Sequence, residues 1–178
     1  MRAAPAIGLA LVAAVAGCQK SESWQDQTAR IETESAAFRQ MLPAVARRYE
    51  QFTAAGQADS IAALYDDVGR QMPPNEPAAA GRAAIRDRQA RLASYGSWEL
   101  HVTPRSAMAN GRTAVEDGKY VISFKPGPKA PAGMGAMTDS GKYLAHWLQE
   151  SDKSWKILQL AWNSDLPMPM PPAAGKRR

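Results

Sequence analysis

A stripe of mostly apolar positions runs along the first third of the chain as Trp24, Thr28, Ile31, Phe38, Leu42, Val45, Tyr49 and Phe52. Steps of three and four, broken once at Ser35, put one face of an α-helix against a core. Pro43 falls inside the stripe and predicts a kink or two abutting helices, because proline lacks the N–H that an interior turn requires. Ala55-Gly56 ends the segment, with glycine free to take the left-handed cap. Asp59 caps a second helix whose inner face would be Ile61, Leu64, Tyr65 and Val68. A short strand from Arg70 then runs into the turn Pro73-Pro74-Asn75-Glu76-Pro77. Gly81 opens a third helix through Tyr95, with Ile85, Gln89 and Leu92 facing inward and Gly96 as its stop.

Beyond Gly96 the period changes from helical to two. Trp98, Leu100 and Val102 alternate with Glu99, His101 and Thr103, which describes a half-buried strand. Asn110-Gly111 is a strong hairpin signal, and residues 113–124 form its second strand. Asp117-Gly118 within that strand reads as a bulge. A Pro-, Gly- and Met-rich loop follows over 125–138. Residues 142–149 and 155–163 make another hairpin around Ser151-Asp152-Lys153-Ser154. No internal repeat is evident. Helices followed by three or four long antiparallel strands predict an α+β domain over 24–165, with helices on one face of the sheet. Residues 166–178 carry no core pattern and read as a disordered tail rich in Pro and Met.

The N-terminus changes this picture. Arg2 precedes an apolar run from Ala3 to Ala16, too short to span a bilayer and suited to the core of a signal peptide. The run ends in Val15-Ala16-Gly17-Cys18, which resembles the lipobox of bacterial lipoproteins. That resemblance implies a signal peptide over 1–17, cleavage before Cys18, a lipid on its thiol and a tether over 18–23. It also implies a cell-envelope location, with Gln19 after the cysteine favouring the outer membrane, facing the periplasm, over the inner membrane. Cys18 is the only cysteine, so no disulfide within the chain accounts for it.

Charge adds little. The formal net charge is +5, but Lys176, Arg177 and Arg178 crowd the extreme C-terminus. The folded part is nearly neutral, so the balance does not describe a nucleic-acid-binding protein.

The segment Ala54-Ala55-Gly56-Gln57-Ala58-Asp59-Ser60-Ile61-Ala62-Ala63-Leu64-Tyr65-Asp66-Asp67 resembles SnoaL-like domains of the nuclear transport factor 2-like superfamily. Met72-Pro73-Pro74-Asn75-Glu76-Pro77, Gly81-Arg82-Ala83-Ala84-Ile85-Arg86, Gly141-Lys142-Tyr143-Leu144 and Trp155-Lys156-Ile157 leading to Trp162-Asn163-Ser164-Asp165 continue it in order. The resemblance implies a cone: a curved antiparallel sheet over three helices with a central pocket. It further implies that Tyr49 matches the tyrosine with which ketosteroid isomerases stabilise an oxyanion. Their aspartate base would fall in Gln71-Met72-Pro73-Pro74, where there is no carboxylate. Proton abstraction needs a base within hydrogen-bond reach of the carbon acid, so the pattern leans away from an enzyme.

Motif position and strand parity give Tyr49, Met72, Asn75, Glu116, Trp147 and Asn163 as ligand-binding candidates. Ala114, Glu116, Gly118, Tyr120 and Ile122 share a strand face, so Glu116 points inward if no bulge flips it. His101 and His146 fall on different strands without a third ligand, which argues against a metal, and no cofactor is called for. Met134, Met137, Met168 and Met170 read as loop residues rather than copper ligands. Arg82, Arg86, Arg88 and Arg91 read as a solvated helix face. Apolar residues on both faces of the Trp155–Asn163 strand suggest a homodimer through the sheet. The expected function is a membrane-anchored domain that binds a small apolar or amphipathic molecule. The alternatives are an isomerase, cyclase or hydratase using Tyr49 and Glu116, and a non-catalytic structural envelope module.

Overall fold

A computed structural model describes residues 22–167. Cys18, the signal peptide expected before it and the residues beyond 167, with Met168 and Met170, lie outside the described residues. Helix α1 (Trp24–Ala54) is capped by Ser23, whose hydroxyl accepts from the Asp26 N–H. It runs unbroken through Pro43, so the interruption expected there does not occur. Pro43 sits on the exposed side, where water can satisfy the carbonyl that loses its partner. Gly56 follows with φ +63°.

Helix α2 (Ala58–Ala62) is a short turn of helix, not the longer element expected. Strand β1 (Tyr65–Met72) begins where its second half was placed. Tyr65 is 0% and Val68 70% exposed, although the helical reading put both on one face. The helical spacing of these apolar residues was coincidental. Asp66 turns the backbone by accepting from the Val68 N–H, and Tyr65, Gly69 and Gln71 are the inward residues of an irregular strand.

After β2 (Ala79–Ala80), helix α3 (Arg82–Tyr95) and strands β3 (Gly96–Asn110), β4 (Thr113–Pro126), β5 (Met137–Gln149) and β6 (Trp155–Ser164) complete the chain. The six strands form one curved sheet in the order β2-β1-β6-β5-β4-β3. It is mixed rather than wholly antiparallel, because β1 runs parallel to β6. The class is α+β, with the helices packed on the concave face of the sheet.

Two bulges set the parity of the inner wall. The extra residue in the β3–β4 pair is Arg105 on β3, opposite Asp117-Gly118, so β4 itself keeps strict alternation. A second extra residue, Leu158, lies in β6 opposite His146-Trp147.

Strand β3 is a sheet edge, and α1 lies along it. The Ser35 hydroxyl accepts from the Ala109 N–H at 2.9 Å and donates to the Ala109 carbonyl at 3.4 Å. Glu34 accepts from the Gly111 N–H, Arg39 donates to the Ala107 carbonyl, and Glu50 accepts from the Val102 N–H. The gap in the apolar stripe at Ser35 is therefore a hydrogen-bonding position. Helix side chains cover backbone groups that an edge strand otherwise leaves open to pairing.

Candidate functional site

Between helices and sheet lies a cavity of about 370 Å3. Leu42, Val45 and Ala46 of α1, Leu92 of α3 and Leu100 and Val102 of β3 give it apolar walls. Phe38 closes the core beside it, edge-on to Trp147 at 5.8 Å and to Trp155 at 4.8 Å between ring centres.

One polar pole is built from α1, β1 and α3. The Gln71 side-chain amide donates to the Tyr49 hydroxyl at 2.9 Å and to the Tyr65 hydroxyl at 2.8 Å, and the two hydroxyls lie 3.2 Å apart. The Gln71 carbonyl accepts from Gln89 at 3.0 Å and, more weakly, from Arg88. Both amide protons of Gln71 are thus used. One hydroxyl proton joins the tyrosines, and the other has no acceptor in the described protein. Tyr65 is wholly buried while Tyr49 lines the cavity. The lower-cost arrangement has Tyr65 donate to Tyr49, which leaves the Tyr49 proton facing the cavity. Burial raises the pKa of both phenols, so both stay protonated.

The second pole belongs to the sheet. Glu116 is 4% exposed. Its carboxylate accepts from the Tyr143 hydroxyl at 2.6 Å and the Trp147 indole N–H at 2.8 Å. Burial raises its pKa, against which these two donors pull down. The Tyr120 hydroxyl donates to Asp139 at 2.8 Å. Both tyrosines are pushed up, chiefly by burial and then by the adjacent carboxylate.

A short sequence pattern underlies this wall. Glu116-Asp117-Gly118-Lys119-Tyr120 and Asp139-Ser140-Gly141-Lys142-Tyr143 share the form acid, any residue, Gly, Lys, Tyr. The antiparallel register pairs Gly118 with Tyr143 and Tyr120 with Gly141. Each tyrosine ring lies over the opposite glycine, where a β-carbon would collide with it. Each hydroxyl reaches the acid of the other copy. A repeat of five residues is thus present after all, and it was the signal that could have revealed Tyr120, Asp139 and Tyr143.

Of the candidates named from sequence, Tyr49, Glu116 and Trp147 line the cavity. Met72, Asn75 and Asn163 do not. Met72 alternates with the inward Gln71. Asn75 is exposed at φ +59° and shapes the proline-rich turn. Asn163 is exposed in a shallow groove on the outer face, because the Leu158 bulge reverses the parity of β6 and turns Leu160 and Trp162 inward instead. The solvated arginine face also needs correction. Arg88 is 8% exposed, pairs with Glu76 through Nε and NH2, both at 3.2 Å, and stacks 5.6 Å from the Trp162 ring centre. Periodicity could not show this, since the partner is supplied by the Pro73–Pro77 turn.

No protein-family model and no curated protein sequence matches the chain. Solved structures do. A ketosteroid isomerase-like protein from Erwinia carotovora atroseptica superposes with a TM-score of 0.60 at 15% identity, covering 70% of this chain and 94% of that one. A nuclear transport factor 2-like superfamily protein from Salmonella enterica serovar Typhimurium gives 0.61 at 11% identity, over 80% and 99%. A nuclear transport factor 2-like protein with a cystatin-like fold from Novosphingobium aromaticivorans gives 0.58 at 17% identity, over 80% and 90%. A short helix pair and a long first helix over a curved sheet, with a cavity between, make this the nuclear transport factor 2-like fold.

Proposed function

We propose that this chain is a small-molecule-binding domain, held at a membrane surface of the cell envelope by a lipid on Cys18. The observation that carries the binding reading is the cavity of about 370 Å3, within the range of sites that enclose small ligands. Its apolar walls suit an apolar or amphipathic body, and the free Tyr49 proton suits a carbonyl or hydroxyl oxygen on it. The isomerase-like character of one structural neighbour supports a ligand of that general kind. The anchor rests on the order of charge, apolar run, small residues and Cys18 in the sequence. Among the described residues no helix is long and apolar enough to cross a membrane.

The test is mass spectrometry of small molecules that co-purify with the protein from its native envelope. A discrete apolar or amphipathic species in near-stoichiometric amount is the expected result. A protein that carries nothing, and takes up nothing from an apolar extract of that envelope, overturns the reading.

A catalytic reading is favoured by one observation: Tyr49 and Glu116 face the same cavity, and burial raises the pKa of Glu116 toward that of a useful proton acceptor. Against it, the Tyr49–Tyr65–Gln71 pole holds no base, because an amide cannot take the proton. Under this reading the recovered ligand would be chemically altered by the native protein and not by Glu116→Gln.

A further inference from the structure

The charges that line the cavity do not balance. Among the described residues Arg88 is the one cation on its wall, and Glu76 already matches it. Glu116 and Asp139 remain. Their partners are all neutral: the Tyr143 hydroxyl and Trp147 indole for Glu116, the Tyr120 and Ser164 hydroxyls for Asp139. The lysines of the repeated pattern, Lys119 and Lys142, alternate to the outer face and are exposed. A carboxylate as buried as Glu116 is seldom left without a cation, since an unpaired charge in an apolar interior is costly. Four aromatic residues, Tyr120, Tyr143, Trp147 and Trp162, line the same wall. Aromatic faces beside carboxylates attract ammonium groups.

From this balance the geometry points to a cationic amphiphile as the ligand: an amine whose ammonium group docks on Glu116 and whose apolar body fills the cone. The inference rests on the cavity being a small-molecule site, and it names the ligand class. Asp139, half-buried six positions along the strand register, supplies a second negative group nearer solvent and favours entry of cations over anions. Arg88 does not oppose this, because its charge is spent on Glu76. The missing positive charge inside the cone is thus brought by the ligand.

Octylamine, octanol and octanoate share one apolar chain and differ in the head group, so calorimetric titration of the full chain with each separates the possibilities. Octylamine should bind more tightly than octanol by about tenfold or more, the effect of one charge-assisted hydrogen bond in a sheltered site, and octanoate should bind weakest. Glu116→Gln should bring amine and alcohol to similar affinity. Equal affinity of amine and alcohol for the native protein overturns the proposal and leaves the cavity reading standing. Tightest binding of octanoate also overturns it and assigns the head-group site to Arg88. If none of the three binds, the cavity reading falls and this inference falls with it. The comparison on the native protein decides the matter even if Glu116→Gln does not fold.

Discussion

At the scale of the residue, Gln71 is the side chain on which the most polar groups depend. Its amide donates to Tyr49 and Tyr65 and accepts from Gln89 and Arg88. Gln71→Leu keeps much of the volume but strips partners from buried hydroxyls and an amide, and should cost about 2–4 kcal/mol of stability. Gln71→Glu should cost less at about pH 5, because burial keeps its carboxyl protonated, able to donate to a tyrosine hydroxyl and to accept from Gln89 and Arg88. Urea unfolding of the two variants checks the contrast, and equal losses would refute this account of the network. Such a position could be placed by sequence but not understood from it. Strand β1 was expected near Gln71, yet its four partners come from α1, β1 and α3, and nothing local encodes their meeting. Tyr49, Glu116 and Trp147 were legible because each follows from a position in an uninterrupted element. Asn163 was not, since one extra residue at Leu158 reverses every side chain beyond it.

Elements are joined here by more than apolar contact. The hydrogen bonds from α1 to the open edge of β3 make helix and strand one unit, with Ser35 at its centre. Ser35→Ala leaves the Ala109 N–H buried without an acceptor and should cost about 1–3 kcal/mol. Thr33→Ala, exposed on the same helix, should change stability by less than about 0.5 kcal/mol. Hydrogen exchange gives the specific readout: the Ala109 amide should exchange faster in Ser35→Ala and unchanged in Thr33→Ala. Protection of Ala109 that survives the loss of Ser35 would show that another group closes this edge. The periodicity gave the long helix, the third helix and both hairpins, because each buries one face over many residues. It failed over Leu64–Val68. There the apolar residues keep helical spacing, but pairing of β1 with β6, some ninety positions away, makes the segment an irregular strand. A parallel pair of that kind leaves no turn signature to read.

For the whole molecule, the proposed anchor precedes α1 in the chain, and the cavity is lined by the C-terminal half of that helix. Cys18→Ser should abolish labelling with a radioactive fatty acid and release the protein from washed membranes, while its circular dichroism and melting remain those of the native domain. A Cys18→Ser protein that stays membrane-bound would remove the anchor from this account. The cone-like fold was legible from five motifs in order, none of them decisive alone, because the spacing between them reflects the lengths of elements that a curved sheet and its covering helices impose. The parallel β1–β6 pair and the two bulges were not, since they arise only when the strands are assembled. The length of α1 carries one further consequence. The cavity is lined from Leu42 onward, and the rise from Trp24 to Leu42 is roughly 27 Å at about 1.5 Å per residue. Under the proposed anchor on Cys18, an upright α1 would hold the cavity on a rigid standoff, well clear of the lipid headgroups. A guest would then reach it through the aqueous layer above the membrane, and the helix would act as a spacer that selects diffusible guests over molecules still seated in the bilayer.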